Sequence, residues 1–168
     1  MTIQVGERLP EGTLYESTEF DPATSCPMKP QTLDVPEAAK GKKIVLFAVP
    51  GAYTPLCSAQ HLPGYVAHFD GFKAKGVDEI WCLAVNDAFV MASWGRDLGA
   101  SGKVRMMADG SAEYVTKLGL DMDLVAKGMG VRSQRFAAII DDGVVTHLGV
   151  EAPSKFEVSN AEAILAQL

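Results

Sequence analysis

The sequence is poor in cysteine, with only three residues of this type, Cys26, Cys57 and Cys82. An odd and low count excludes a scaffold built on several disulfides. The simplest interpretation is three reduced thiols, so we expect a cytoplasmic protein in which any disulfide is transient and catalytic. Cys26 lies in residues 24–27, which have the composition of a turn, and we expect an incidental surface thiol there.

Positive charge is also scarce, and long apolar runs are absent. Lys and Arg total 15 against 21 Asp and Glu, for a net charge of -6, which argues against a nucleic-acid partner. No apolar run approaches the ~20 residues that a membrane-spanning helix needs. Residues 1–10 lack the basic and apolar regions of a secretory signal. We therefore expect no nucleic-acid or membrane partner, and a single domain over residues 1–168.

What the sequence does contain is one dense stretch, residues 44–65, which reads IVLFAVPGAYTPLCSAQHLPGY. Its apolar start predicts a buried strand that ends at Pro50. Thr54 is then a good helix N-cap and Pro55 a good first helical residue, which places Cys57 in the first turn. Unpaired amides and the positive end of the helix dipole favour a thiolate there. Cys57 is therefore a candidate nucleophile.

The rest of the chain alternates strands with helices. Residues 2–40 are irregular, with β-like pieces at 12–15 and 31–35, and the later predicted strands cover residues 42–49, 79–86, 104–108, 135–141 and 144–148. Predicted helices run from residue 55 towards 74, with a kink at Pro63 and Gly64, and over 88–98, 112–118 and 161–168, the last capped by Ser159; residues 120–133 are predicted as a loop. The pattern predicts an α/β domain with a central mixed β-sheet flanked by helices and an N-terminal β extension. A cysteine after a central strand, with a late hairpin and a terminal helix, is the thioredoxin-like layout.

Two neighbours of Cys57 are candidates for chemistry. The Thr54 hydroxyl could bond to a small polar substrate held against the sulfur, and Pro50 could shield the thiolate from water. Both residues are equally expected in an ordinary turn and helix cap. Thr54 also occupies the place of the first cysteine in the C-x-x-C motif, so a protein disulfide oxidoreductase, an alternative redox function, would lack its first sulfur.

The stretch around Cys57 has no cation, and the candidates, Arg132 and Arg135, lie far along the chain. Arg135 begins a predicted buried strand that neighbours the nucleophile strand in a thioredoxin-like sheet. An arginine there is unusual unless it is paired. Its guanidinium beside Cys57 would stabilise a thiolate and bind a substrate oxygen. The alternative is a structural ion pair with one of the many carboxylates.

The residues PGAYTPLCS (50–58) and HLPGY (61–65) resemble the peroxidatic motif of peroxiredoxins, specifically of the peroxiredoxin-5 or type II subfamily. Further matches lie within residues 85–91, 108–111 and 130–136, so the resemblance extends over nearly the whole chain. It implies a thiol-dependent peroxidase that reduces hydrogen peroxide and alkyl hydroperoxides, with a role in antioxidant defence and cell redox homeostasis. No metal or organic cofactor is implied.

The resemblance also implies a role for each matching residue. Cys57 is the peroxidatic cysteine, which attacks the peroxide and becomes a sulfenic acid. Thr54 hydrogen-bonds the peroxide, Pro50 shields the pocket and Arg135 is the active-site arginine. Arg132 has a supporting role.

How the oxidised sulfur returns to the thiol stays open. Cys82 matches a resolving cysteine of plant-like members, but it falls in an apolar strand, where cysteine is more often inert core. A disulfide between Cys57 and Cys82 would require the first helical turn to unwind. The alternative is a one-cysteine cycle, reduced by glutaredoxin and glutathione or by thioredoxin. The resemblance further implies a homodimer, with contacts at Phe89, Met91 and Trp94, and ordinary helix packing is the alternative for these side chains.

Two other functions would use the same residues. A peroxide sensor would pass the oxidation of Cys57 to a partner protein. A zinc site would use Cys57 and His61, which share one helix face, but two ligands do not close a site. His61 is otherwise expected to be structural or to line the pocket rim.

Overall fold

One mixed sheet forms the centre of the computed structural model, which describes all 168 residues. The strands are β1 (Thr13–Glu16), β2 (Glu19–Phe20), β3 (Pro27–Met28), β4 (Gln31–Asp34), β5 (Lys43–Ala48), β6 (Glu79–Ala84), β7 (Val104–Ala108), β8 (Asp121–Leu124), β9 (Gly130–Ser133), β10 (Phe136–Asp141) and β11 (Val144–Val150). The α-helices are α1 (Val35–Ala39), α2 (Leu62–Ala67), α3 (Phe69–Ala74), α4 (Ala88–Asp97), α5 (Glu113–Leu118) and α6 (Ala161–Leu165). A π-helical segment (Cys57–His61) precedes α2, and a 3-10 turn (Val125–Lys127) lies between β8 and β9.

Seven strands pair in the order β11–β10–β5–β6–β7–β1–β4. Strands β5, β6 and β7 are parallel, β10 pairs antiparallel with β5, and β1 pairs antiparallel with both β7 and β4. The predicted thioredoxin-like architecture is confirmed, and the N-terminal extension supplies the two strands at one edge of the sheet.

Both faces of the sheet are covered, which explains the continuous apolar runs of its central strands. Successive side chains of a strand point to opposite faces. Val45 and Phe47 therefore join the core cluster that includes residues of α2, α4 and α6, whereas Ile44 and Leu46 join the cluster that includes residues of α1 and α5. None of the helices combines the length and apolar character that crossing a membrane requires.

Several local predictions were wrong. Residues 120–133 contain the antiparallel pair β8 and β9 rather than a loop. The last helix ends at Leu165, and Asn160, not Ser159, caps it, because the Asn160 side chain accepts from the Ala163 amide at 2.8 Å. The Ser159 hydroxyl instead donates to the Glu151 carboxylate at 2.6 Å.

The helix after β5 is not broken at Pro63 and Gly64, which both lie inside α2. The distortion falls one turn earlier, where the Leu62 amide bonds to the Cys57 carbonyl, five residues back. This wide π turn is one of the recognised ways in which a helix accommodates a proline or a functional residue. The chain leaves helical geometry only at His68, between α2 and α3.

Candidate active site

The candidate nucleophile lies where the sequence predicted it, at the start of the helix that follows β5. Helical geometry begins at Pro55, and the Ser58 amide donates to the Thr54 carbonyl at 3.0 Å. The Cys57 amide therefore lies ahead of the first intrahelical hydrogen bond and is free to meet a negative charge. The Cys57 side chain is fully buried in the core between this helix and the sheet.

Side chains of α4 and of the turn before α4 hold the loop between β5 and the Cys57 helix in place. The Asn86 side chain accepts from the Ala52 amide at 2.9 Å. Tyr53 has a positive φ of 62°, which is strained for a tyrosine, and its hydroxyl donates to Asp97 at 2.7 Å. Asp87, not Asn86, caps α4, because its side chain accepts from the Val90 amide. Asn86 is thus free to fix the loop.

Thr54 was expected to cap the helix, but its side chain does not do so. Its hydroxyl donates to the Gly51 carbonyl at 2.8 Å. With its proton committed to that carbonyl, the hydroxyl oxygen presents acceptor lone pairs to whatever binds beside it. The residue therefore suits the acceptance of a hydrogen bond from a hydroperoxide, which carries its own O–H.

Arg132 reaches this loop from β9. Its guanidinium donates to the carbonyls of Met129, at 2.8 Å, and Pro50, at 3.3 Å. A Cβ on Gly51 would lie 2.6 Å from Arg132 Nη1, so the close approach of the guanidinium requires glycine at that position. The structure thus brings Pro50 and Arg132 together beside the Cys57 loop, with Arg132 bound to the backbone rather than to the sulfur.

Arg135 contacts the candidate nucleophile directly. It immediately precedes β10, which pairs with β5, and Phe136 points away into the opposite core cluster. Side-chain alternation therefore directs Arg135 to the face that carries Cys57. Arg135 Nη2 donates to Cys57 Sγ at 3.2 Å. No carboxylate lies within salt-bridge distance of this guanidinium, so the alternative of a structural ion pair is wrong.

His61 is the second partner of Arg135, a role that the sequence did not reveal. Arg135 Nη1 donates to His61 Nδ1 at 2.8 Å, and His61 Nε2 lies 2.9 Å from the Ser159 carbonyl. Because arginine can only donate, Nδ1 must be the acceptor, and the single ring proton must lie on Nε2. Only the four-residue spacing from Cys57 hinted that His61 belongs to the site.

The surroundings of His61 keep it neutral. Burial, followed by the positive charge of Arg135, lowers the pKa of His61 to about 3. Its ring packs against Phe47, at 4.9 Å between centroids, and Phe156, at 5.0 Å. With both ring nitrogens engaged, His61 has no free ligand atom, which removes the basis for a zinc pair with Cys57.

The other two cysteines lie apart from these contacts. Cys82 is in β6 and is fully buried in the same core cluster as Cys57. Burial, followed by the electrostatic influence of Cys57, raises the pKa of the Cys82 thiol well above its ordinary value. Cys26 is exposed, and none of the three cysteines forms a disulfide.

Comparison with known proteins agrees with this geometry. The Redoxin family matches residues 4–165. Peroxiredoxin-2B of Arabidopsis thaliana is 47% identical over 166 residues, which cover 99% of this chain and 98% of the relative. The structure of reduced Prx3 from Vibrio vulnificus in complex with H2O2 is 51% identical, with a TM-score of 0.91 and 99% of each chain covered. Peroxiredoxin 5 from Alvinella pompejana is 33% identical, with a TM-score of 0.82, and covers 98% of this chain and 96% of its own. The chain therefore belongs to the peroxiredoxins, in their type II subfamily.

Proposed function

We propose that Cys57 is the peroxidatic cysteine of this thiol-dependent peroxidase, and that Thr54, Arg135 and Pro50 form the peroxide site around it. The observation that carries the proposal is the 3.2 Å contact between Arg135 Nη2 and Cys57 Sγ. A guanidinium at this distance stabilises a thiolate and remains in place to bind an oxygen that approaches the sulfur. Arg132 supports the site by bonding to the Pro50 carbonyl.

The reaction is a displacement at oxygen. The Cys57 thiolate forms an S–O bond with one peroxide oxygen while the O–O bond breaks, so sulfur is oxidised to a sulfenic acid and the peroxide is reduced. The leaving oxygen departs as an alkoxide or hydroxide and takes up a proton from solvent to give an alcohol or water. The Arg135 guanidinium and the Cys57 amide donate to the oxygens that gain negative charge. Thr54 accepts from the O–H of the peroxide.

The proposed substrates are hydrogen peroxide and alkyl hydroperoxides. Each brings at least one O–H for Thr54 and two oxygens for the donors, so recognition depends on hydrogen-bond geometry rather than on a shaped pocket. Thr54 and Arg135 are partly exposed, whereas Cys57 is buried. Because the sulfur is buried, only a peroxide with a small substituent can therefore bring an oxygen to it.

For the return to the thiol we propose a one-cysteine cycle, in which glutaredoxin with glutathione, or thioredoxin, reduces the sulfenic acid. Cys82 is the alternative resolving residue. Its burial in β6 and its raised pKa keep it a thiol, and attack on Cys57 would require the helix start to unwind. Residues 151–159 contain no cysteine that could replace it.

We further propose a homodimer and a cytoplasmic location. The three free thiols favour a reducing compartment. For the dimer, Phe89 and Tyr53 expose large aromatic side chains, near the start of α4 and in the Cys57 loop. Met91 and Trp94 were also expected at this surface, but both are fully buried in the core. The candidate contact surface therefore consists of Phe89 and Tyr53.

The test of the proposed function is mass analysis without reductant after one equivalent of H2O2, together with steady-state turnover. Wild type should carry one sulfenic acid at Cys57, and Cys57→Ser should lose about 10⁴-fold or more of kcat/KM for peroxide. Activity that survives in Cys57→Ser would refute the assignment. A Cys57–Cys82 disulfide in wild type that is absent from Cys82→Ser would refute the one-cysteine cycle. A peroxide sensor would stall after one equivalent even with excess thiol reductant, whereas a peroxidase keeps turning over.

A further inference from the structure

The loop that precedes α6, residues 151–159, is closed by the carboxylate of its first residue. Glu151 accepts hydrogen bonds from the amides of Glu157, Val158 and Ser159, at 2.8 to 2.9 Å, and from the Ser159 hydroxyl at 2.6 Å. Although partial burial opposes ionisation, the Ser159 hydroxyl and these amides lower the pKa of Glu151. The side chain is therefore a carboxylate at neutral pH. A carboxylate has only hydrogen-bond acceptors, which matches the four donors that surround it.

Both ends of this loop are attached to the active site. At its start, the Glu151 amide donates to the backbone carbonyl of Arg135 at 3.0 Å. At its end, the Ser159 carbonyl accepts from His61 Nε2, at 2.9 Å, and from the Tyr65 hydroxyl, at 2.7 Å. Ser159 is fully buried. Because its amide and its hydroxyl are both bound to Glu151, the direction of its carbonyl is fixed.

The Ser159 carbonyl decides which nitrogen of His61 carries the proton. As an acceptor, it holds the proton on Nε2 and leaves Nδ1 as an acceptor for Arg135 Nη1. The other tautomer would point an N–H at the guanidinium and repel it. The same loop also places Phe156 against the His61 ring, and the Arg135 guanidinium lies 5.9 Å from the Phe156 ring centroid.

These contacts form a closed circuit that begins and ends at the active-site arginine. We propose that Glu151 is a positioning residue for peroxide reduction, which holds the Arg135 guanidinium in place by way of the Ser159 carbonyl and the imidazole bound to it. Glu151 touches neither the sulfur nor the substrate site. Its carboxylate fixes the position of Ser159, and the Ser159 carbonyl fixes the tautomer of His61. Nδ1 of His61 then fixes the plane of the Arg135 guanidinium, from which Nη2 reaches Cys57. The inference rests on the proposed roles of Cys57 and Arg135.

The test is a double-mutant cycle on kcat/KM for H2O2. Glu151→Ala should lower kcat/KM about tenfold to a hundredfold, the range expected for losing one well-placed hydrogen bond to a charged group. In an Arg135→Ala background, the same change should alter the residual rate by no more than about twofold, because a residue that acts only through Arg135 has nothing left to position. A second loss of similar size in that background would overturn the proposal, as would a wild-type rate in Glu151→Ala.

Two further variants make the test independent of folding defects. Glu151→Gln keeps one oxygen for the amide and hydroxyl of Ser159 but replaces the other by a donor, so its kcat/KM should lie between those of Glu151→Ala and wild type. Ser159→Ala removes only the hydroxyl bond to Glu151 and should lose a few-fold, again only when Arg135 is present. If Glu151→Ala does not fold, this pair still decides the question, because equal rates in Ser159→Ala and wild type would contradict the proposal.

The matched control is Glu162→Ala, which removes an exposed carboxylate of α6 that pairs with His68 at 3.0 Å. Its kcat/KM should equal that of wild type. Failure of the underlying function is recognised separately: peroxidase activity in Cys57→Ser, or an unchanged rate in Arg135→Ala, would remove the site itself. Loss in both of those variants without loss in Glu151→Ala or Ser159→Ala would remove only the role of Glu151.

Discussion

Arg135, which precedes β10, and Arg105, in β7, have opposite kinds of partner. Arg105, in β7, bonds to the carboxylates of Glu16, at 2.7 Å, and Glu79, at 3.0 Å. Arg135 bonds to a neutral imidazole and to the Cys57 sulfur. The charge of Arg105 is therefore neutralised by structural partners, whereas that of Arg135 stays available until a thiolate or a reacting oxygen meets it.

Arg135 is held in place without being neutralised. A carboxylate next to Arg135 would orient it equally well, but it would also weaken the positive potential at the sulfur. His61 orients the guanidinium through one lone pair and adds no charge, because burial and Arg135 itself lower its pKa to about 3. The carboxylate of this region, on Glu151, bonds to the C-terminal loop instead of to the guanidinium.

Of the changes that test this difference between the two arginines, Arg135→Lys should have the largest effect. One ammonium group cannot bond to both His61 Nδ1 and Cys57 Sγ in the geometry of the planar guanidinium. We expect kcat/KM for H2O2 to fall by about 10²- to 10³-fold, as for the loss of one donor to a developing oxyanion, with little change in the free energy of unfolding. Stopped-flow kinetics and denaturant unfolding measure the two quantities. A variant that loses stability but keeps its rate would place Arg135 with the structural arginines.

Arg105→Met should give the reverse result. Removing the guanidinium leaves Glu16 and Glu79 without their shared cation, and their side chains are only 12% and 21% exposed. We expect the free energy of unfolding to fall by about 1–3 kcal/mol, since the site is only partly buried, while kcat/KM stays at the wild-type value. Urea unfolding at pH 7 provides the measurement. A rate that falls together with stability would show that the two arginine sites are coupled.

A smaller and pH-dependent effect should separate His61→Gln from wild type. The pKa of His61 is about 3 in the folded protein and about 6.5 when unfolded, so its contribution to stability is complete above pH 6.5. As pH falls below 6.5, the unfolded chain binds a proton that the folded protein does not. Wild type should then lose up to about 1.4 kcal/mol of unfolding free energy per pH unit that His61→Gln does not lose.

Urea unfolding between pH 7 and 5 tests this difference, because most carboxylates titrate below that range. His68 and His147 are present in both proteins, so their contributions cancel in the comparison. Parallel pH profiles for the two proteins would mean that His61 is not held neutral in the folded state, so that Arg135 would lack a neutral partner.

Much of the site follows from local sequence. The apolar run of residues 44–49 has to be a buried strand, and a proline next to Thr54 starts a helix after it, which brings Cys57 to the end of the sheet. The alternation of side chains along a strand also fixes the face on which Arg135 lies once β10 is paired with β5. Pattern and pairing thus suffice for the two groups that touch each other at the centre of the site.

The sequence was less informative where polar side chains had several possible partners. Thr54, Ser159 and Asn86 are residue types that commonly cap helices. In the structure, the Thr54 side chain bonds to the Gly51 carbonyl, that of Ser159 to Glu151 and that of Asn86 to the Ala52 amide. Short polar side chains form such local bonds in many backbone geometries, and composition does not choose among them. The prediction that Met91 and Trp94 lie at a dimer surface was wrong for a related reason, since apolar side chains on a helix suit a core as well as an interface.

The sequence alone was enough to predict the α/β architecture, the position of Cys57 at a helix start and two cationic candidates, Arg132 and Arg135. These depend on hydrophobic period, proline position and strand alternation, which are properties of neighbouring residues. The folded structure was needed to show that Arg135 has no carboxylate partner, that His61 accepts a hydrogen bond from it, and that Glu151 supports both from the C-terminal loop. The contacts of His61 with Arg135 and with Ser159 join residues that are 74 and 98 positions apart along the chain, and no local pattern records which distant donor meets which acceptor.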